Sequence, residues 1–189
     1  MKKLLASIWE VAEVVLIALV TVFIIRSFIV QPFLVSGASM SPNFQNGNYL
    51  LVDEVTYLLR QPQRGEVVVF RYTGDKSSFF IKRVIGLPGE KVVVKDGKVT
   101  ITKPGKDELG FTLDEAYLPL QTKTIGDVTE KLADDEYFVM GDNRGNSFDS
   151  RNWGPLHQKD IVGIVRLRLY PFSEFETIDH PTYNLTPSL

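Results

Sequence analysis

One long apolar run, Trp9 to Val30, constrains this chain more than any other stretch. Glu10, Glu13 and Thr21 are its only polar members up to Ile25, and Phe28 to Val30 continue it past Arg26. Wound as a helix it would be roughly 33 Å long, enough for a ~30 Å hydrocarbon core if Arg26 snorkels to the interface. Met1, Lys2 and Lys3 favour a cytoplasmic N-terminus over residues 1–8, against which Arg26 weighs partly, and so put the remainder on the outer face of the cell membrane. The competing reading is a removed export signal, with Ser36 and Ala38 as a small-x-small site cut after Ala38. The run is longer than such signals carry, and Pro32, Phe33 and Leu34 separate it from that site, so a retained single-pass anchor over residues 9–30 is expected.

Past the anchor the periodicity shortens. Runs rich in Val, Ile, Phe and Tyr, broken by Gly and Pro, announce a mainly β, antiparallel domain over residues 31–171. The expected strands are Tyr49 to Val52, Glu66 to Tyr72, Phe79 to Ile85, Lys91 to Lys95, Lys98 to Thr102, Tyr137 to Met140 and Asp160 to Tyr170. Asp96-Gly97 between two valine-bearing runs marks a hairpin turn, since both residue types tolerate positive φ. Residues 102–135 lose the pattern and read as a loop-rich insertion without recognisable chemistry. Residues 172–189 read as a peripheral tail, in which Asn184-Leu185-Thr186 fits a glycosylation acceptor by pattern alone.

With 189 residues and 44% hydrophobic content, one buried domain plus an anchor is the economical architecture. A net charge of −2, with basic and acidic residues interspersed, argues against nucleic acid as a partner. The absence of cysteine removes disulfides, thiol catalysis and thiolate metal sites together. His157 and His180 are the only histidines, so a histidine base stays formally open while a His-rich metal site does not. No metal or cofactor is expected.

Three stretches carry candidate chemistry. Val35-Ser36-Gly37-Ala38-Ser39-Met40-Ser41-Pro42 places a serine where the anchor hands over to the folded domain. In Phe79 to Ile85, strand alternation sets Phe80, Lys82 and Val84 on one face, and Lys82 among apolar neighbours. A free lysine, with a pKa near 10.4, is uncharged only about once in 2,500 at pH 7, but desolvation disfavours the ammonium and can make the amine a base. The third stretch runs from Tyr137 into a turn dense in Gly, Asp and Asn. If extended, it sets Ser147, Asp149 and Arg151 on one face; Asp149 could pair with Arg151, and Asp142 with Arg83.

These stretches, in this order and behind one anchor, resemble the type I signal peptidases over roughly Pro32 to Arg166. Ser39-Met40-x-Pro42 looks like the family's nucleophile motif, and Lys82-Arg83-Val84 with Gly86-Pro88-Gly89 looks like its general-base segment. Gly141-Asp142-Asn143-Arg144, followed by Asn146-Ser147 and Asp149-Ser150-Arg151, is similar to its most specific signature. The resemblance implies a Ser/Lys dyad in which Ser39 attacks and Lys82 takes and returns the proton, with Ser147 orienting the lysine and Asp142, Asp149, Arg151 and Arg83 shaping the site. Where some members carry a second serine this chain has Gly37, which implies an oxyanion hole centred on the Ser39 amide. The implied partners are preprotein signal peptides, cut after small residues of Ala-x-Ala type, and membrane lipid. Two other readings stay open: a Ser/Lys protease of the self-cleaving repressor type, and a non-enzymatic exported β-domain.

Overall fold

A computed structural model describes residues 9–21, 30–105, 110–181 and 183. A helix over residues 9–21 (α1) leaves its apolar side chains exposed, Val14 and Leu16 among them. No helix among the described residues is long and apolar enough to cross a membrane. The expected span continues through residues 22–29, which lie outside the described residues.

The rest is antiparallel β-structure, as the valine-rich runs require. Strands β1 (Val30–Leu34), β2 (Tyr49–Asp53), β3 (Val67–Tyr72) and β4 (Asp75–Gly86) are followed by β5 (Lys91–Lys95), β6 (Lys98–Thr102), β7 (Gly110–Thr112) and β8 (Val128–Lys131). The chain closes with β9 (Glu136–Met140), β10 (Leu156–His157), β11 (Ile161–Tyr170) and β12 (Glu176–Thr177). Helices α2 (Thr56–Leu59) and α3 (Ser150–Trp153) are single turns. The larger sheet has the order β1-β2-β11-β3-β4-β9-β10, with β12 beside β11, and the smaller the order β7-β6-β5-β8.

Each sheet buries one face for the same reason. Val67, Val69, Leu50, Val52 and Val165 form a cluster that also takes in Val35, Met40 and Phe44, so the segment around Ser39 is anchored in the core. Val92, Val94, Val99, Ile101 and Phe111 of the smaller sheet pack on Ile85, Phe138 and Met140, joining the two sheets at β4 and β9. At the β5–β6 turn Asp96 has φ 52° and Gly97 φ 79°, the backbone that an Asp-Gly hairpin supplies.

Three sequence expectations change. β1 occupies the end of the expected anchor and the residues after it; Pro32 is tolerated there because β1 is an edge strand, paired among the described residues only with β2. The 102–135 stretch is more than loop: β7 and β8 flank the β5–β6 hairpin and complete a four-stranded sheet. Each is too short for its sequence to announce a strand, and Phe111 is the one buried residue of β7. The tail is not peripheral throughout: β12 pairs with β11, Ile178 packs on the core, and the Tyr183 ring lies 6.4 Å from that of Tyr117, edge to face. The acceptor triplet at Asn184 lies outside the described residues.

Candidate active site

The segment between β1 and β2 is pinned on both sides of Ser39. Val35 and Met40 are buried, and the Phe44 N–H donates to the Met40 carbonyl at 2.9 Å. Gly37 between them has φ +100° and gives its N–H to Asn46 Oδ1 at 3.0 Å. A Cβ at Gly37 would meet nothing within 4 Å, so the backbone conformation, and not crowding, asks for glycine. That is a physical reason for the missing second serine. The Ser39 N–H has no hydrogen-bond partner among the described residues.

Lys82 enters from β4, held between β3 and β9. Its side chain reaches Ser39 Oγ at 2.8 Å and the Ile81 carbonyl at 2.9 Å, and Nζ sits 5.3 Å from the centre of the Phe80 ring. The residue is only 4% exposed. Burial pushes the amine down to about 8, and the charges of Asp149 and Asp142 oppose that shift. The two side chains are 43 positions apart in sequence and in hydrogen-bond contact in the fold.

Behind this pair stands a set of buried ions. Arg83 forks onto Asp142, Nε to Oδ1 at 2.8 Å and Nη2 to Oδ2 at 2.6 Å, and its Nη1 donates to the Gly65 carbonyl. Asn43 adds a third bond to Asp142 Oδ2 at 2.9 Å. Arg151 forks onto Asp149 at 2.8 and 2.7 Å and donates to the carbonyls of Arg144 and Ile125. Burial acts to raise the Asp149 carboxyl, but the Arg151 fork and the Gly141 N–H outweigh it and hold it below the usual range.

The turn itself is folded, not extended. Asp149 caps α3 by accepting from the Arg151 N–H, and Asn152 returns a bond to the Asp149 N–H at 3.2 Å. Ser147 therefore does not share an extended face with Asp149 and Arg151. Its Oγ is buried, makes no hydrogen bond to Lys82, and lies against Gly141 and near Asp149. Lys82 directs its contacts to Ser39 and to the Ile81 carbonyl instead. A Cβ on Gly141 would come within 2.3 Å of the Ser39 carbonyl oxygen, so this loop and the Ser39 loop touch through a glycine.

A cleft of about 470 Å³ opens over the Ser39–Lys82 pair, walled by Phe33, Val35, Leu50, Val69, Phe79 and Ile81. It lies between two strand edges. Among the described residues the far side of β1 has no partner strand, and β4 meets β9 only from Arg83 onward, which leaves Asp75 to Lys82 unpaired on that side. Neither histidine lines it: His157 is a surface residue 3.1 Å from Asp135, and His180 belongs to a different depression.

The family model described as signal peptidase, peptidase S26, matches residues 8–170. The chain belongs to the signal peptidase family. Signal peptidase I S of Bacillus subtilis strain 168 is 37% identical to it, over 89% of this chain and 92% of its own. Signal peptidase IB of Staphylococcus aureus strain MRSA252 is 35% identical over 98% and 96%. Among solved structures, a signal peptidase I from Enterococcus faecalis V583 aligns at 28% identity, over 56% of this chain and 97% of that one, with a TM-score of 0.46. Family membership makes the chain a serine endopeptidase and sets aside the non-enzymatic and repressor-type readings.

Sequence reasoning missed part of this signal peptidase's site. Arg144 is 1% exposed and donates to Glu115 at 2.6 and 2.5 Å, to Thr124 Oγ1 at 2.8 Å and to the Tyr117 hydroxyl at 2.8 Å. The Tyr117 ring lies 4.2 Å from the Arg83 guanidinium, and its carbonyl accepts from Asn43. Glu115, Tyr117 and Thr124 all come from the stretch read as lacking chemistry. One signal was available: pairing Asp142 with Arg83 and Asp149 with Arg151 leaves Arg144 without an acid, and a buried arginine needs one.

Proposed function

We propose that this chain is a membrane-anchored signal peptidase that cuts exported preproteins after a small side chain, using Ser39 as nucleophile and neutral Lys82 as general base. The observation that carries the reading is the buried Lys82 amine 2.8 Å from the Ser39 hydroxyl. A neutral amine has two N–H groups and one lone pair. The Ile81 carbonyl takes one N–H, and the lone pair is left for the Ser39 hydroxyl. As Oγ attacks the scissile carbonyl carbon, its proton moves to Nζ. The oxyanion falls to the unpartnered Ser39 N–H, and the lysine ammonium protonates the departing amine when the C–N bond breaks. Water then attacks the acyl-enzyme, with Lys82 again accepting a proton.

The apolar cleft fits small side chains on an extended substrate, and its two unpaired strand edges offer backbone groups to such a peptide. The exposed apolar surface of α1 suits a lipid environment and supports the anchor. On this reading the N-terminus is cytoplasmic and the β-domain extracytoplasmic.

The test is incubation of the detergent-solubilised full chain with a preprotein bearing an Ala-x-Ala site, followed by sequencing of the new N-terminus. Cleavage after the second alanine, absent in Ser39→Ala, is expected. Because the base must be uncharged, kcat/KM should rise about tenfold per pH unit below the lysine pKa and level off above about 8. A midpoint near 6.5 would assign the base to histidine instead. Sequencing the peptidase itself should read from its own start; a protein beginning at Ser39 would remove the anchor.

A further inference from the structure

The segment around Ser39 is held at two successive carbonyls, and one residue makes both bonds. The Asn143 N–H donates to the Ser39 carbonyl at 3.0 Å, and Asn143 Nδ2 donates to the Ala38 carbonyl at 3.0 Å. The second bond bears on the reacting atoms. In a trans peptide the C=O and N–H of one unit point in opposite directions, so whatever fixes the Ala38 carbonyl also fixes the Ser39 N–H. That N–H has no hydrogen-bond partner among the described residues and belongs to the same residue as Oγ.

We propose that Asn143 is a positioning residue for the oxyanion hole: its side-chain amide sets the plane of the Ala38–Ser39 peptide, and so aims the Ser39 N–H at the tetrahedral intermediate. The inference rests on Ser39 being the nucleophile. The close approach it needs is secured at Gly141, where any side chain would collide with the Ser39 carbonyl oxygen. The turn that carries Asn143 is itself fixed on either side, by the Asp142–Arg83 pair and by the Arg144–Glu115 pair. One competing restraint exists: the Ser41 N–H also donates to the Ala38 carbonyl, at 3.1 Å. Loss of the amide should therefore tilt the peptide rather than release it, and cost less than deleting an oxyanion donor outright, which takes about 10²- to 10³-fold in kcat.

The experiment compares full-length wild type with Asn143→Ala and Asn143→Leu, the second nearly equal in size to asparagine but without its amide; both keep the backbone N–H to Ser39. Expected are a fall in kcat of about 10- to 100-fold, KM within a factor of two, and a pH midpoint unchanged from wild type, since Asn143 makes no bond to Lys82. A peptide boronic acid, which forms a tetrahedral adduct on Ser39 Oγ, should lose affinity by the same factor as kcat, while the matching unreactive peptide alcohol binds as before. Equal weakening of both ligands, a loss carried by KM, a shifted pH midpoint or unchanged turnover would each overturn the proposal. If wild type itself fails to cleave, or Ser39→Ala retains activity, it is the assignment of Ser39 that falls.

Discussion

Replacing Lys82 by methionine is expected to abolish cleavage and, in the same molecule, to make the fold more stable at neutral pH. The first effect follows from the proposed mechanism, in which a catalytic unit that loses its base retains only binding and the oxyanion donor, a drop of about 10⁴- to 10⁶-fold in kcat. The second follows from linkage. Moving the lysine from 10.5 to about 8 corresponds to about 3 kcal/mol of unfavourable burial. At pH 7 both folded and unfolded chains carry the proton, so the whole cost is present. Between pH 8 and about 10.5 the folded chain has released the proton and the unfolded chain has not, so wild-type stability rises through that window. Methionine matches the length and carries no charge, so Lys82→Met should gain about 2–3 kcal/mol at pH 7, a gain that shrinks toward pH 10. Urea midpoints of both proteins at pH 7 and 10 measure this. A variant that is less stable at pH 7 would mean that the buried ammonium is fully compensated by Asp142 and Asp149, and the proton-acceptor role would lose its energetic basis.

The parts of this arrangement that sequence exposes are those where one residue type has one physical use. Gly-rich, Asp-rich turns between valine-rich runs mark β-structure, and Asp96-Gly97 marks its hairpin directly. Lys82 within an apolar run is conspicuous because a lysine there must be either an edge or a desolvated amine. The pairings between strands are another matter. Arg144 and Glu115 are 29 residues apart, and nothing local to Glu115 distinguishes it from a surface acid. Ser147 was misplaced because an extended backbone was assumed where Asp149 caps a helical turn. β1 was hidden because its residues continue an apolar run whose helical reading was equally consistent with composition. Tyr183 contributes through a ring contact with Tyr117 that no pattern announces.

Asp142→Ala should cost about 3–5 kcal/mol, a large share of the roughly 5–15 kcal/mol that holds a domain together. The substitution removes the acceptor of two Arg83 bonds and one Asn43 bond, and it leaves the guanidinium of an arginine that is 4% exposed without a counter-charge. For a domain of this size the loss translates into a fall in Tm of about 6–20 °C. The folded fraction should also change its chemistry in a stated direction. Asp142 helps hold the Lys82 ammonium, so without it the amine loses its proton more readily and the pH midpoint of kcat/KM moves below that of wild type. Replacing both partners, Arg83→Met with Asp142→Leu, removes the stranded charge and should restore most of the lost stability, because a buried ion pair gains little over well-packed apolar groups. Activity should not follow. The Asn43 bond that ties the Asp142 turn to the Ser39 loop is gone in both variants. A single variant melting within 2 °C of wild type, or a pH midpoint displaced upward, would show that Asp142 is neither the counter-charge of Arg83 nor a support for the lysine ammonium.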